Sequence, residues 1–365
     1  MERSGVAHYT SDLARALTRE GAEVEVIAPA APGLPVREED HGVAVWRAFR
    51  RGPLVPVHAA GAACSTGASV VHLQHEHFLY GSPSSALATL AALGYLSRRR
   101  PVVVTLHQVV DAARVDRAFV RLHRVSLPAP AARAGLAVLQ NGVADLARRT
   151  IVHEPAFART VPRATVIPHG VRSQQGPGRA EARESLALDD RFTVLCFGYI
   201  APYKGLETVL EAGRLLGGRV CVVVAGGPHP RLGDAERYAA QLARGYRDAA
   251  TFTGYVAEER VPAWFSAADV AVFPYPRPHA TSGALSLALA HSTPFLASEA
   301  LGRLAGLPQE AVVDLAPAAL AERLEDLMAG DALGALSRAC ASMAAGRSWS
   351  EVACAHRSLY EEVVP

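Results

Sequence analysis

Cysteine is scarce in this sequence, with five residues in 365. Their spacings match neither a zinc-binding pattern nor a C-x-x-C redox pair. No basic-then-apolar signal segment opens the chain, and an odd number of cysteines without such a segment indicates a reducing, cytoplasmic setting. Two of them stand in apolar runs, where a thiol usually packs as a small hydrophobic group. The cysteines are Cys64, Cys196, Cys221, Cys340 and Cys354.

An excess of charge of one sign is also lacking. Lys plus Arg number 37 and Asp plus Glu number 35, which gives a formal net charge of +2. A dedicated nucleic-acid binder would carry a strongly basic face, so that class is disfavoured. No apolar run is long enough for a transmembrane helix, since the longest weakly polar stretch covers only residues 85–97. The arginine run at 98–100 is typical of a solvated helix end, although contact with anionic lipid at a membrane surface stays open.

Apolar residues are abundant instead and make up 50% of the chain. Such a composition supports large buried cores and excludes wholesale disorder. At about 150 residues per domain, a chain of this length predicts two domains.

Short apolar runs alternate with amphipathic stretches in the first half of the chain. Apolar residues at helical spacing predict a helix at residues 11–18, ended by Gly21. The short runs that follow it predict strands, and strands separated by helices require crossover connections and a parallel sheet. The predicted strands are residues 23–28, 70–73, 102–106 and 165–167.

A polar segment at residues 172–183 predicts an interdomain linker, after which the alternation starts again. The predicted fold class is therefore α/β, with two doubly wound, Rossmann-like domains facing each other across a cleft. Ligands bind at the carboxyl ends of the strands in such sheets, so this cleft is the expected site. The predicted strands here are 193–197, 219–225, 251–253, 270–273 and 294–297, and the predicted helices are 206–216 and 235–247.

The N-terminal domain starts unusually. A doubly wound domain normally opens with a strand, a glycine-bearing turn and a helix, whereas here Gly5 and the first helix follow directly after residues 1–4. The first strand is therefore expected to be missing. Either the true start lies upstream of the recorded one, which we favour, or another segment fills the central position of the sheet. An open position would leave two ladders of backbone groups unpaired.

The segment FGYIAPYKG, residues 197–205, follows a predicted strand and precedes a predicted helix. Gly198 allows the backbone to approach a ligand closely. Lys204 places a cation beside a helix N-terminus, and both features favour phosphate. The same residues also fit a surface lysine at an ordinary helix start. The glycine spacing is not that of a Walker P-loop.

Two further turns follow predicted strands in the same way. Gly226 belongs to a pair of glycines that suits a tight turn under a ligand, or an ordinary turn. Ser282 is a good N-cap residue for the next helix, and the free amides of Ser282, Gly283 and Ala284 could hold a diphosphate. Capping alone is the alternative. The helix after Ser282 is apolar on several faces, which predicts that it is buried.

Histidines form the last candidate group. A metal site at His72, His75 and His77 is conceivable but disfavoured, because on a strand His72 faces away from the other two. His107 follows five apolar residues and is expected at a sheet edge facing the cleft. A neutral imidazole there can bond a sugar hydroxyl or take part in proton transfer. A structural histidine with satisfied hydrogen bonds is the alternative.

The order of these motifs resembles that of retaining, nucleotide-sugar-dependent glycosyltransferases of the GT-B fold, in particular glycosyltransferase family 4. The stretch GVAHYTSDLARALTREGAEVEVIAP is similar to that family's opening loop, helix and second strand, and VIPHGV to its interdomain segment. FGYIAPYKGLETVLEA resembles its donor-phosphate turn, and VVVAGGP, FTGYV and ADVAVFPY follow in the family's order. WSEVACAHRSLY resembles the closing helix that crosses back to the first domain. The expected domains are residues 1–172 on the acceptor side, 173–345 for the nucleotide sugar, and 346–365 as the returning helix.

The resemblance implies roles for individual residues. His107 would face the transferred sugar and Lys204 would neutralise the diphosphate leaving group, which makes these two the candidate catalytic residues. A cation and aimed amides can stabilise the charge on the departing phosphate without a metal, so neither a metal ion nor a cofactor is expected. The other candidate donor-binding residues are Gly5 and Gly198 near the phosphates, Gly226 at the nucleotide, the Tyr255 and Val256 backbone at the base, and Ser282 and Gly283 beneath the phosphates.

The chain departs from the family at several donor-binding positions. Two glutamates eight residues apart are usual around this helix, and here His279 and Leu287 stand in their place. Tyr199 replaces a common arginine, and Ala201 supplies no cation. Since a charge-assisted contact contributes about 1.5–3 kcal/mol, weaker or altered donor binding is expected. Arg277 or His279 could compensate from the facing loop.

Two functions of different classes remain. The first is a retaining, hexosyl-type glycosyltransferase that moves a sugar from a nucleoside diphosphate sugar to an unidentified acceptor without a metal. The alternative is a non-catalytic relative that acts as a partner or sugar-sensing subunit. A dehydrogenase is disfavoured because the G-x-G-x-x-G fingerprint is absent where it matters. High alanine and arginine usage, typical of GC-rich genomes, and the resemblance imply a bacterial, cytoplasmic protein.

Overall fold

The structure is a computed structural model of the chain, and it describes residues 5–50, 52–77, 83–122, 125–230, 234–278 and 282–364. The chain divides into two compact units. Unit 1 comprises Met1–Gly170 together with Trp349–Pro365, and unit 2 comprises Val171–Ser348.

Unit 1 opens with the helix α1 (Gly5–Arg19), which is longer at both ends than predicted. Its apolar side chains recur at helical spacing, and Tyr9, Leu13 and Leu17 are buried. The next elements are β1 (Glu25–Pro29), β2 (Arg37–Asp40), β3 (Val43–Phe49), α2 (Val55–Ser65), β4 (Val71–His75), α3 (Pro83–Ser97), β5 (Val102–Leu106), α4 (Arg117–Leu122), α5 (Ala129–Leu146), β6 (Arg149–Val152), α6 (Pro155–Thr160) and β7 (Thr165–Val166).

The strands of unit 1 form two separate sheets. One contains β1, β3 and β2 in that order, with β1 parallel and β2 antiparallel to β3. The other contains β4, β5, β6 and β7, all parallel. In the order of a doubly wound sheet, the first strand lies between the second and the fourth, which is the position between β1 and β4 here. Among the described residues, β1 pairs only with β3 and β4 pairs only with β5.

Unit 2 contains one six-stranded sheet in the order β10-β9-β8-β11-β12-β13. All of its pairings are parallel, and this is the complete order of a doubly wound sheet. Its elements are α7 (Arg179–Ser185), β8 (Phe192–Phe197), α8 (Leu206–Leu216), β9 (Val220–Ala225), α9 (Ala235–Gly245), β10 (Ala250–Gly254), α10 (Val261–Ala267), β11 (Val270–Phe273), α11 (Gly283–Ala290), β12 (Phe295–Ser298), α12 (Glu299–Ala305), β13 (Val312–Val313), α13 (Pro317–Met328) and α14 (Asp331–Ala345).

The last helix of the chain, α15 (Trp349–Val363), is part of unit 1. Val352 and Leu359 of this helix pack in the same buried cluster as Leu13 of α1, Val103 of β5 and Ile151 of β6. Burying a leucine-sized side chain contributes about 1.5–3 kcal/mol. The end of the chain therefore helps to hold α1 on the parallel sheet of unit 1.

The predicted linker at residues 172–183 is wrong in its last part, which forms the start of α7. Arg179 and Arg183 of this helix both pair with Asp269, which is buried just before β11. Ala182 is fully buried between them. The segment is polar because its arginines bond to a buried carboxylate, and this long-range contact leaves no trace in the local composition.

Both units are α/β, and all of their strand pairs except β2–β3 are parallel, so the predicted α/β class with two Rossmann-like domains is confirmed. All five strands predicted in the second half lie within one residue of the observed bounds of β8, β9, β10, β11 and β12. Within the part of the chain that the structure describes, no helix has both the length and the apolar character that a bilayer crossing requires.

Candidate functional site

A pocket of about 300 Å³ opens in unit 2 where β8, β9 and β10 end. It is lined by residues 197–199, 225–227, 255, 256, 258 and 261. These residues come from the turns after three neighbouring strands and from the start of α10. Because carboxyl ends of parallel strands are the usual position of ligand sites in doubly wound sheets, this pocket is the candidate nucleotide site of unit 2.

Two glycines allow neighbouring turns to meet at this pocket. A Cβ atom on Gly226 would lie 2.1 Å from the carbonyl oxygen of Gly198, so a side chain is excluded at that position. Gly198 has a φ of 102°, which L-residues with a side chain rarely adopt. Its N–H donates to the Ala225 carbonyl oxygen at 2.9 Å. Gly198 and Gly226 therefore form one backbone arrangement that keeps the pocket open.

Lys204 is the only lysine in the sequence. It ends the short 3-10 turn Pro202–Lys204 after β8 and is 8% exposed, so it is not a lysine on the surface. Its Nζ lies 2.8 Å from the place that a Cβ on Gly198 would occupy, and 5.4 Å from the centre of the Tyr275 ring. A compact ammonium group on an unbranched stem fits this space.

Burial lowers the pKa of Lys204 from its usual 10.5 to about 8, because an ammonium group loses hydration inside the protein. The neighbouring Cys196 thiol has a smaller, opposite effect on this pKa. Among the described residues, no carboxylate contributes to the environment of Lys204. An anionic ligand would therefore supply the counter-charge that the protein does not.

The helix α11 begins beside Lys204. Its N-cap is Ser282, whose Oγ accepts a hydrogen bond from the Leu285 N–H at 3.3 Å and lies 3.2 Å from the Tyr275 hydroxyl. Ala284 Cβ is 3.8 Å from the Cβ position of Gly198. Since α11 packs in the core of unit 2, its first-turn amides are held next to the ammonium group.

The buried cation and the helix N-terminus together make an anion-binding arrangement. A helix N-terminus carries partial positive charge and N–H groups without intrahelical partners. The two features come from the loops after β8 and β11, neighbouring strands at the point where the strand order of the sheet reverses. A phosphate or diphosphate is the ligand that this chemistry fits.

The structure brings most of the predicted donor-binding residues together within unit 2. These are Gly198, Lys204, Gly226, Tyr255, Val256, Ser282 and Gly283. Gly5 is the first residue of α1 and His107 follows β5, so both belong to unit 1. His279 lies outside the described residues.

Three residues of this site were missed by the sequence reasoning. Val261 and Glu258 line the pocket from the segment after β10, and Tyr275 contacts both Lys204 and Ser282. The aromatic residue in the proline-rich loop after β11 was an available signal for Tyr275. No local pattern distinguishes Glu258 from the adjacent Glu259.

The departures from the family pattern have visible structural consequences. Leu287 is half-buried and packs against the core of unit 2, so this position offers no hydrogen-bonding group. Tyr199 is 43% exposed and its ring lies 5.4 Å from that of His229. Ala201 is fully buried. Lys204 is therefore the charged group that remains from the expected phosphate turn.

His107 lies in unit 1 among buried aromatic and imidazole rings. Its ring centre is 4.8 Å from that of Tyr9 and 5.0 Å from that of His153. Its Nε2 lies 2.8 Å from the side-chain amide of Gln74, and its Nδ1 lies 3.2 Å from His153 Nε2. Both ring nitrogens are bonded to protein atoms, so a hydrogen bond from the ring to a sugar hydroxyl would replace one of these bonds.

The partners of His107 fix which of its nitrogens carries the proton. His153 Nδ1 donates to the Ile167 carbonyl oxygen at 3.0 Å, because a carbonyl only accepts. A neutral His153 then accepts at Nε2 from the Nδ1–H of His107. His107 Nε2 is left as an acceptor, and since the atom 2.8 Å from it is Gln74 Oε1, this tautomer requires the Gln74 amide group to be turned so that its nitrogen faces the ring. Gln74 and His153 therefore hold His107 in one tautomer and one orientation.

Burial lowers the pKa of the histidines in this group. The pKa falls to about 3 for His75 and His107 and to about 4 for His356, because an imidazolium loses hydration on burial. Neighbouring imidazoles lower the pKa of His75 and His107 further. The rings are therefore neutral near pH 7 and act as hydrogen-bonding groups rather than as cations.

Acidification is expected to destabilise unit 1 before unit 2. Below pH 6.5 the unfolded chain binds protons that the native histidines exclude until about pH 3–4. Each such histidine therefore lowers the free energy of unfolding by about 1.4 kcal/mol per pH unit below 6.5. Urea unfolding of Trp264→Phe, monitored between pH 7 and 4.5 through the tryptophans of unit 1, checks this.

The matched variant for this prediction is His356→Leu, which removes one buried imidazole that bonds the Val352 carbonyl oxygen at 2.7 Å. Its loss of stability between pH 6.5 and 5 should be smaller than that of the Trp264→Phe parent. A stability of unit 1 that stays constant over this range contradicts the assignment of neutral histidines.

The histidines near the end of β4 do not gather around a common point. His72 Nδ1 lies 2.6 Å from the Tyr360 hydroxyl and its Nε2 lies 2.7 Å from Thr105 Oγ1. The rings of His75 and His77 are 5.5 Å apart. In the described ranges, no group of three or more His, Cys, Asp or Glu side chains is arranged to hold a metal ion.

Two protein-family models match the chain. The model described as Glycosyltransferase Family 4 matches residues 3–175, and the model described as Glycosyl transferases group 1 matches residues 191–330. Together they cover most of unit 1 and most of the sheet of unit 2.

Three curated relatives are similar to parts of the chain. An alpha-D-kanosaminyltransferase from Streptomyces kanamyceticus is 42% identical over 26% of this chain and 25% of its own length. A D-inositol 3-phosphate glycosyltransferase from Catenulispora acidiphila is 29% identical over 75% of this chain and 69% of its length. A GDP-mannose-dependent phosphatidylinositol monomannoside mannosyltransferase from Mycobacterium tuberculosis is 37% identical over 26% of this chain and 25% of its length. The chain thus aligns with only a quarter of two of these relatives.

A solved structure of HepE from Anabaena in complex with UDP is similar to the chain in fold. It has a TM-score of 0.70, covers 99% of this chain and 97% of its own, and is 16% identical in sequence. At this identity the likeness supports the fold.

Proposed function

Because the chain belongs to the glycosyltransferases of family 4, we propose that it transfers a hexosyl group from a nucleoside diphosphate sugar to an acceptor. The transfer is proposed to retain the configuration at the anomeric carbon and to need no metal ion. The observation that carries this proposal is the buried Lys204, which has no carboxylate partner among the described residues and lies beside the N-terminus of α11.

The donor diphosphate is proposed to bind at Lys204 and at the first turn of α11. The Leu285 N–H is taken by Ser282 Oγ, and the N–H groups of Gly283 and Ala284 have no partner among the described residues. These two N–H groups and the ammonium group are three hydrogen-bond donors in a region of positive electrostatic potential. The close approach of Gly198 and Gly226 keeps side chains out of the same space.

The chemical step separates a sugar from a nucleoside diphosphate, and negative charge grows on the β-phosphate as the bond breaks. Groups fixed in advance toward this charge stabilise the transition state more than the bound donor. Lys204 is fixed by burial and by the Tyr275 ring. We assign it the role of neutralising the leaving group, which is a role that the expected arginine at Tyr199 would otherwise share.

His107 is proposed to face the transferred sugar. Its two ring nitrogens are held by Gln74 and His153, so the contribution to sugar binding comes from a neutral, oriented ring or from its backbone. The acceptor is unidentified, and the cytoplasm is the proposed compartment.

A non-catalytic, nucleotide-binding role is the second candidate. The observation that favours it is Leu287, a half-buried side chain of α11 in a position where the family commonly has a glutamate. A protein of this kind would bind a nucleoside diphosphate at Lys204 without breaking the glycosidic bond.

Calorimetric titration with UDP, GDP, ADP and dTDP, followed by donor-hydrolysis assays with the corresponding sugars, separates these functions. Binding together with slow hydrolysis supports the enzyme, since transferases commonly hydrolyse donors when the acceptor is absent. Binding without hydrolysis, under any donor and acceptor tried, supports the second candidate. If no nucleoside diphosphate binds, both proposals fail.

Donor affinity is expected to fall as the pH rises above 8. The ammonium form of Lys204 binds the diphosphate, and its pKa of about 8 in the free protein should rise when the anion binds. Between the two pKa values, the affinity falls about tenfold per pH unit because binding requires the uptake of one proton. Since Lys204 is the only lysine, lysine-selective ¹³C labelling gives one ε-methylene signal that reports both pKa values directly.

The control for this pH dependence is Lys204→Arg, whose guanidinium does not titrate below pH 12. Its affinity should change little between pH 8 and 10. A lysine signal that titrates near 10.5 in the free protein would show that the ammonium group is hydrated. It would contradict the lowered pKa of Lys204 and the predicted pH dependence of donor affinity.

A further inference from the structure

The exposed acidic residue Glu258 is one of the residues that line the candidate nucleotide pocket. It begins the 3-10 turn Glu258–Arg260 after β10 and lines the pocket together with Tyr255, Val256 and Val261. Tyr255 is 74% exposed and Val256 is half-buried. This part of the pocket therefore combines an aromatic face, apolar side chains and one acidic group. A planar base can stack on such surfaces, and the carboxylate can accept hydrogen bonds from donors on the edge of the base.

The carboxylate of Glu258 has no hydrogen-bond or ion-pair partner in the part of the chain that the structure describes, although its backbone carbonyl accepts from the Val261 N–H. Two carboxylates of α8 are engaged by contrast, since Glu207 accepts from the Tyr238 hydroxyl at 2.6 Å and Glu211 from the Tyr246 hydroxyl at 2.7 Å. The adjacent Arg260 donates to the Ser185 carbonyl oxygen at 3.2 Å instead. The carboxylate of Glu258 is thus available to a ligand in the pocket.

The chemistry of a carboxylate discriminates between nucleobases. An ionised carboxylate only accepts hydrogen bonds and can accept two in parallel. The Watson–Crick edge of guanine presents two adjacent donors, the N1–H and the 2-amino group. Uracil and thymine present one N–H between two carbonyl oxygens, and adenine and cytosine present a ring nitrogen that repels a carboxylate. Guanine is therefore the common base that can form two parallel hydrogen bonds with Glu258.

We infer that Glu258 selects guanine, and that the donor is a GDP-sugar. This inference rests on the proposed function, because it assigns the base of the same donor. The comparisons leave the base open, since one relative is named GDP-mannose-dependent and one structural neighbour holds UDP. Only the base that offers both donors gains two charge-assisted hydrogen bonds to the carboxylate.

The test is competition for the nucleotide site among GDP, IDP, UDP and ADP, measured by calorimetry. IDP keeps the guanine N1–H and lacks the 2-amino group, so it isolates one of the two bonds. In the wild-type protein GDP should bind at least tenfold more tightly than UDP and several-fold more tightly than IDP. Glu258→Ala should weaken GDP binding by about 10- to 100-fold, the equivalent of a charge-assisted pair, and leave UDP binding within about twofold.

Glu259→Ala is the matched control, because Glu259 is the next residue of the same exposed turn and does not line the pocket. This variant should bind GDP most tightly, and IDP and UDP more weakly, as the wild type is expected to do. Equal or tighter binding of UDP by the wild type overturns the selection of guanine and leaves the proposed transferase intact. Equal losses for GDP and UDP in Glu258→Ala also overturn it. Absence of binding by every nucleotide overturns the proposed function itself.

Discussion

Replacing Lys204 by methionine is expected to lower kcat/KM for the nucleotide-sugar donor by about 10²–10³-fold, the usual loss when one group that stabilises developing charge is removed. Methionine keeps an unbranched apolar stem, so the packing against Tyr275 and Gly198 is largely preserved. The substitution removes the ammonium group and the cost of its burial. Thermal stability should therefore be unchanged or slightly raised while donor turnover collapses.

The loss should concentrate on the diphosphate. Binding of a nucleoside diphosphate is expected to weaken much more than binding of the nucleoside alone, because only the former carries the charge that Lys204 meets. Arg237→Ala serves as the control for removal of one positive charge, since Arg237 is an exposed residue of α9 that pairs with Asp234. Should Lys204→Met keep kcat/KM within about threefold of the wild type, the ammonium group has no part in the reaction.

The parts of the fold that the sequence predicts best are those where one local signal dominates. The strand β11 and the helix α8 have their predicted bounds, because a fully buried strand reads as an unbroken apolar run and α8 has an apolar stripe at helical spacing. The apolar, Ala- and Leu-rich sequence after Ser282 likewise predicts a buried helix. In these places local propensity and burial agree.

The β2–β3 hairpin was not predicted from the sequence. Its first strand, Arg37–Asp40, is the charged sequence REED, and charged residues are depleted in strands. The strand is held by the pairs Arg37–Glu25, which reaches past β3 to β1, and Glu38–Arg47 on β3. The turn at Gly42 brings it back onto β3. Such cross-strand pairs are known only once the register is known.

The sequence predicted which residues form the candidate site, but not their burial, their contacts or their protonation states. Turn residues after apolar strands identified Gly198, Lys204, Gly226 and Ser282, since strand ends meet at one edge of a parallel sheet. The burial of Lys204 and the position of Glu258 beside the pocket depend on contacts between separate turns. The hydrogen-bonded histidines of unit 1 likewise come from distant parts of the chain, so no local pattern reveals their neutral state.

Replacing Gly226 by alanine is expected to lower the melting temperature of unit 2 by roughly 5–10 °C and to abolish tight nucleotide binding. The added Cβ would lie 2.1 Å from the Gly198 carbonyl oxygen, which is a backbone atom, and the position of the Cβ is itself fixed by the backbone of residue 226. No side-chain rotation can relieve this overlap, so the turns after β8 and β9 must separate. A shift of this kind costs about 2–3 kcal/mol, and for a domain of this size each kcal/mol lowers the melting temperature by about 2–4 °C.

Gly227→Ala is the informative comparison, because it adds the same methyl group one residue further on. Its nearest neighbour would be the Tyr255 backbone nitrogen at 3.4 Å, an ordinary contact distance, so its melting temperature should stay within about 2 °C of the wild type. Calorimetric melting of the two variants distinguishes a specific backbone contact from a general intolerance of side chains in this loop. If the two variants melt alike, Gly198 and Gly226 do not hold the pocket open. If Gly226→Ala alone melts early, the Gly198 turn moves with it, and Lys204, which lies against Gly198, loses its place beside α11.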